Sequence, residues 1–308
     1  MTSSAPILVT GVPGIVGGVG SFVVEALLAR GLPVRALVLK EDKSTDALRA
    51  SGVEVVAGDL TDVSDVARAL VGCRRMYFGM GVSPQYLEAT VATAAVVREQ
   101  PGMEVLVNIS QMTVSEMSLT ATTESPQQKL HWLAEQALNW SGLPVVHVRA
   151  TVFLQHPFFS AFAAETIAKE SVLRLPFGAG RTSPIDTRDV AEVIATVLAG
   201  PAKHIGKVYE LTGPKSQDMH GVAAEYSQAL GRPIAYIDAP FEEWRQELAG
   251  RELAGRSLPD HVLQHFVTMA KLHAANRYDR LTHDVEAITG RPATSVRDYV
   301  ARNRELFK

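Results

Sequence analysis

Apolar residues in the first half of the chain fall into short continuous runs separated by stretches with helical spacing. The runs Ile7–Thr10, Val34–Leu39, Val53–Ala57, Arg75–Phe78, Val105–Ile109 and Val145–Val148 predict strands. Between them, Phe22–Arg30, Val63–Leu70, Tyr86–Arg98 and Gln127–Trp140 repeat their apolar positions every three or four residues, which predicts amphipathic helices. The strand runs are almost wholly apolar instead of alternating. That pattern belongs to a parallel sheet covered on both faces, and strands alternating with helices imply right-handed crossovers.

After Arg149 the rhythm changes. His156–Lys169 is expected to be helical, and Leu173–Gly178 is expected to be extended and to end in a turn. A helix over Asp189–Leu198, a strand over Val208–Leu211 and a helix over Val222–Leu230 follow, and Phe241 to Phe307 is mostly helical in pattern. No internal repeat, low-complexity segment or linker interrupts the chain.

Composition narrows the picture. The 308 residues are 46% hydrophobic and 20% charged, enough to bury a large core. Thirty basic and 33 acidic residues give a net charge of −3, so neither nucleic-acid phosphates nor a membrane surface is an expected partner. The lone cysteine, Cys73, makes no internal disulfide and is expected to be structural. The start, MTSSAPILVTG, has no basic residue before its short apolar run, and no stretch reaches the roughly 18 apolar residues of a membrane span. The expected compartment is cytoplasmic.

The chemistry begins at TGVPGIVGGVG, residues 10 to 20, set between the first strand and the first helix. Glycines there let the backbone approach a pyrophosphate, and the helix N-terminus adds free N–H groups and partial positive charge. Thr10, Gly11, Val12, Gly14, Ile15, Val16, Gly17 and Gly20 are therefore candidate cofactor residues. Either Gly17 or Gly20 can take the helix-packing role of the third glycine, and the spacing leaves both open. The expected fold is α/β, a Rossmann-type doubly wound parallel sheet over residues 1–155. A smaller, mainly helical C-terminal substrate lobe follows over 156–308, with about 184–212 returning to the sheet. After the second strand, VRALVLKEDKST offers Arg35 and Lys40 to a ribose 2′-phosphate. Surface charge at a strand end explains the same residues about as well; the balance favours NADP(H) over NAD(H).

The TGxxG loop, Gly58-Asp59-Leu60, HWLAEQALNWSGLPVVHVRATVF, PFGAGRTSPIDTRDVAEVIATVL and VYELTGP together resemble the NmrA-like branch of the atypical short-chain dehydrogenases/reductases. The resemblance implies that Asp59 lies beside the adenine with Leu60 packed near it, and that Gly79, Met80 and Gly81 border the cofactor. Ser110 falls where ordinary short-chain dehydrogenases hold a carbonyl-orienting serine. Their Tyr-x-x-x-Lys pair maps onto Gln127 and His131, with Lys129 on another face of the helix. Glutamine gives no proton, whereas histidine titrates near neutrality and serves as an acid or as a ribose contact. The plainer alternative for His131 is a surface residue paired with Glu135. Thr151, Val152 and Phe153 are expected to close over the nicotinamide, and Met112, Phe153, Gln155, Phe158 and Tyr278 to meet the substrate. Most of these residues read more readily as ordinary core than as pocket wall.

Such a site suits an NAD(P)H-dependent reductase that passes hydride to a small hydrophobic, conjugated acceptor of quinone, azo or enone type. The competing expectation is a non-catalytic NADP(H) sensor that binds a protein partner, since the family contains both. A homodimer is compatible with either. His261 and His265, four apart, lack a third ligand, and no metal site is expected.

Overall fold

The chain was analysed as a computed structural model, which describes residues 5–12, 18–121, 125–253 and 255–308. In the first half, β1 (Ile7–Val9), α1 (Val19–Ala29), β2 (Val34–Val38), α2 (Lys43–Ala50), β3 (Glu54–Ala57), α3 (Val63–Leu70), β4 (Arg75–Phe78), α4 (Tyr86–Glu99), β5 (Val105–Gln111), α5 (Pro126–Trp140) and β6 (Val145–Ala150) alternate as the hydrophobic pattern requires. Then come α6 (Ala161–Glu170), β7 (Val172–Leu175), α7 (Thr187–Ala199), β8 (Val208–Leu211), α8 (Met219–Leu230), β9 (Ala235–Asp238), α9 (Phe241–Ala249), β10 (Glu252–Leu253), β11 (Arg256–Ser257), α10 (Asp260–Ala274), α11 (Asp284–Thr289) and α12 (Val296–Arg302).

Seven strands form one sheet in the order β3-β2-β1-β4-β5-β6-β8. Ile7 pairs in parallel with both Val34 and Arg75, so β1 sits where the winding reverses, and ligands of such sheets bind outside the carboxyl ends of the strands at that point. One face of the sheet buries Leu8, Leu37, Met76 and Leu106 against Val66, Leu70, Tyr86, Val97, Ala134 and Leu138. On the other face α1 packs against α7. This is the doubly wound sheet expected from unbroken apolar strands.

The chain clusters into two compact units. The first comprises Met1–Val114, Gln128–Ala150 and Thr187–Glu210; the second comprises Ser115–Gln127, Thr151–Asp186 and Leu211–Lys308. Within the second unit β7 and β9 pair in parallel, Leu173 opposite Tyr236, over a core of Phe158, Phe159, Phe177, Tyr226, Trp244 and Phe266. No helix among the described residues is long and apolar enough to cross a membrane.

Two elements differ from the sequence pattern. α6 begins at Ala161, not His156. Pro157 disfavours helical backbone at His156, and the Ser160 hydroxyl donates to the carbonyls of Gln155 and His156, which holds a turn there. α2 was not expected because Lys43–Ala50 is short and highly polar. It is started by Asp42, whose backbone N–H bonds the Thr45 hydroxyl while its carboxylate accepts from Thr45 N–H.

Candidate functional site

At the carboxyl ends of β1 and β4 the backbones nearly touch. Thr10 is fully buried, and its hydroxyl donates to the Gly79 carbonyl (2.8 Å) and accepts from the Gly79 N–H (2.9 Å). Its side chain thus clamps the two strand ends to each other. Gly11 adopts φ of 71°, and a Cβ on it would lie 2.7 Å from the Gly79 carbonyl oxygen. Both features demand glycine. Gly14, Ile15, Val16 and Gly17 lie outside the described residues.

Gly20 packs α1 closely onto the strand. A Cβ on Gly20 would stand 2.6 Å from the Gly11 carbonyl oxygen and 2.8 Å from that of Thr10. Gly20 therefore lets α1 lie directly over the end of β1. Gly18, just before α1, is left-handed, and among the described residues no side chain caps the helix's first N–H groups. Uncapped N–H groups beside a glycine cradle fit a phosphate-bearing ligand. Val12, also on this loop, is buried.

At the end of β3, Asp59 is exposed, and one carboxylate oxygen accepts from the Thr61 N–H and hydroxyl, both at 2.8 Å. Leu60 and Met80 are half-buried against the core of this unit. Gly81 faces open space.

The two basic candidates part company. Lys40 is exposed just beyond the carboxyl end of β2. Arg35 lies at the opposite end of the strand, where its guanidinium donates to the Ala69 carbonyl (2.8 Å) and the Val71 carbonyl (2.6 Å) and pairs with Glu54 (2.8 Å). Arg35 is a structural residue, not a phosphate ligand, because the amino end of β2 lies away from the carboxyl-end crevice and its guanidinium is held there. The same guanidinium lies 3.5 Å from the sulfur of Cys73, whose thiol is pushed up to about 11 chiefly by burial.

Ser110 lies on β5, buried, and its hydroxyl has no hydrogen-bond partner among the described residues. Such a group is costly unless something satisfies it, which marks it for a ligand or a water. His131 is buried on α5, only 6% exposed, not a surface residue. Glu135, its expected partner one turn on, is instead held by Arg149 of β6 through two hydrogen bonds. The imidazole lies against Tyr86, ring centroids 4.1 Å apart and planes tilted by 49°. Tyr86, which the sequence did not single out, donates its hydroxyl to the Ile109 carbonyl at 3.0 Å. Gln127, on the first turn of α5, is also buried. Met112 is buried at the start of a short 3₁₀ turn after β5.

In the second unit the Thr151 hydroxyl is buried and unpartnered, Val152 is buried, and the half-buried Phe153 bridges to Ile185. Three substrate candidates are committed elsewhere. The Gln155 amide donates to Asp186, a carboxylate that also takes Arg302. Phe158 is fully buried, edge-on to Phe177, Trp244 and Phe266. Tyr278 stacks on His273, centroids 3.9 Å apart, and Phe177 stacks on that histidine's other face at 4.1 Å. Aromatic spacing in sequence does not separate such a core from a pocket wall.

Comparison with known proteins agrees with this geometry. The chain is 31% identical over 301 residues to the (4-alkanoyl-5-oxo-2,5-dihydrofuran-3-yl)methyl phosphate reductase of Streptomyces griseus, covering 98% of this chain and 99% of that one. It is 29% identical over 300 residues to the NAD(P)H azoreductase of Xenophilus azovorans, covering 96% and 98%. Its fold matches the NADPH-dependent quinone oxidoreductase of Escherichia coli, solved with NADPH, at a TM-score of 0.81 and 20% identity, covering 97% of this chain and 99% of that one. Residues 14–201 match the family described as NAD(P)H-binding, and the chain belongs to that family.

Proposed function

We propose that the protein is an NAD(P)H-dependent reductase that transfers hydride to a conjugated acceptor, aromatic or enone-like. The observation that carries this is the glycine cradle of Gly11, Gly20 and Gly79 at the winding reversal, in the same unit as the unpartnered Ser110 hydroxyl and the buried His131 imidazole. Chain-long similarity to an azoreductase and to a reductase of an unsaturated lactone supports the acceptor class.

Gly11, Val12 and Gly20 would hold the pyrophosphate, Asp59 and Leu60 the adenosine, and Lys40 the 2′-phosphate that makes NADP(H) the favoured cofactor. A bound reduced dinucleotide supplies the hydride. Addition across a conjugated double bond also takes one proton. We assign that proton to His131, since Gln127 stands where the related dehydrogenases carry their tyrosine acid and an amide gives no proton. Ser110 orients the acceptor's oxygen or nitrogen by donating its free hydroxyl.

The test is steady-state NADPH oxidation by quinones, azo dyes and unsaturated lactones. Turnover with one acceptor class supports the reductase. Tight NADPH binding with no oxidation by any of them would replace it with the sensor reading, which Gln127 favours because an amide gives no proton.

A further inference from the structure

Tyr86 belongs to the core that packs on the first unit's sheet, and it also makes contacts there that apolar packing alone does not require. It opens α4, is completely buried, and touches three different elements. Its ring meets Phe78 of β4 edge-on, with centroids 5.8 Å apart. Its hydroxyl is tied to the carbonyl of Ile109, the residue before Ser110 on β5. Its face lies against the imidazole of His131 on α5. One side chain therefore spans from the strand carrying the unpartnered serine to the helix carrying the histidine.

A tethered phenol suits this task. Burial, helped by Tyr77 and Glu135, holds the phenol far above its usual range, so the hydroxyl remains a neutral donor and its bond to Ile109 persists at any working pH. A tyrosine ring has few rotatable bonds, and once its hydroxyl is tethered its ring plane is set against the imidazole 4.1 Å away. A leucine or methionine of similar size would fill the space without fixing the imidazole's plane.

We propose that Tyr86 is a positioning residue that holds the His131 imidazole in the orientation used for proton delivery and fixes it relative to the Ser110 end of β5. The proposal rests on the reductase assignment and on the role given there to His131.

The experiment is a double-mutant cycle on the full chain, with kcat, KM, NADPH affinity and the urea midpoint measured for each variant, using an acceptor that the wild type reduces. Tyr86→Leu removes the ring and should lower kcat roughly tenfold, the fold equivalent of an aromatic pair, with NADPH affinity unchanged. Tyr86→Phe keeps the ring and deletes the tether, and should lower kcat about three- to tenfold. It also serves if the leucine variant does not fold. In a His131→Ala background, itself down by about 10², neither substitution should cost further turnover. Losses that multiply in the double variants, or losses confined to KM or NADPH affinity, overturn the positioning role. His131→Ala with wild-type turnover overturns the histidine's role in the reaction, on which the proposal depends.

Discussion

Glu135 and Arg149 form a two-point ion pair that fastens α5 to β6. The Arg149 Nε lies 3.0 Å from one carboxylate oxygen and Nη2 2.7 Å from the other, with Glu135 1% exposed. Glu210 on β8 adds a longer contact to the same guanidinium at 3.6 Å. Paired in this way the two charges are satisfied, but removing one strands the other in the interior. Arg149→Met should therefore destabilise the protein by about 3–5 kcal/mol, read as a lower urea midpoint. Glu135→Leu combined with Arg149→Met should recover much of that loss. A double variant as unstable as the single one would mean that the pair itself, not the orphaned carboxylate, matters.

Gly20 and Gly81 separate the cradle from its surroundings. A methyl on Gly20 meets two carbonyl oxygens under 3 Å away, whereas one on Gly81 meets nothing within 4 Å. Gly20→Ala should push α1 off β1 and weaken NADPH binding by tenfold or more, about the effect of a 1.4 kcal/mol misfit. Gly81→Ala should leave the fold undisturbed and lower NADPH affinity less than Gly20→Ala does. Fluorescence titration of both folded variants checks this, and equal affinities would remove Gly20 from the cofactor site.

The hydrophobic pattern revealed the sheet because parallel strands buried on both faces leave unbroken apolar runs, as Leu8 and Leu106 show. The glycine cradle was legible for the same kind of reason: few residues other than glycine tolerate the approach of Gly11 to Gly79. What the pattern hid is long-range pairing. Arg35 looked like a phosphate ligand until its guanidinium was found on the Ala69 and Val71 carbonyls, 34 and 36 residues away. Glu135 looked like a partner for His131, one turn back on its own helix, because helical spacing displays neighbours and conceals a strand such as β6. Phe158 and Tyr278 read as pocket residues since burial among other rings leaves no periodic mark.

Lys40 and Arg35 now make opposite predictions. Lys40→Ala should weaken NADPH roughly tenfold and spare NADH, because one charge-assisted hydrogen bond is lost. Arg35→Ala should leave the ratio of the two affinities unchanged while lowering the unfolding midpoint. Parallel titrations with both dinucleotides decide it, and an unaltered NADPH to NADH ratio in Lys40→Ala would end that lysine's candidacy.

Three histidines buried in the second unit should make it less stable in acid. Burial holds His265 down to about 4 and His273 down to about 3; His156 is driven well below its usual range by burial and then by the charges of those two. Each has a folded value below the unfolded one of about 6.5, so the unfolded chain binds more protons in that interval and stability falls as pH drops. The contribution is constant above about pH 6.5 and, for each of His265 and His273, should decline by about 2 kcal/mol on going to about pH 5. Urea midpoints across this range check the slope. His273→Phe, which keeps a ring between Phe177 and Tyr278, should flatten it, and an unchanged slope would mean that His273 titrates normally.

The most direct measurement is the rate of NADPH oxidation by the wild-type protein with a quinone, an azo dye and an unsaturated lactone, run beside His131→Ala at equal cofactor saturation. A reductase that uses His131 as its acid oxidises NADPH with at least one of these acceptors, and the variant does so about 10²-fold more slowly. NADPH bound by the wild type yet left unoxidised by all three acceptors would contradict it.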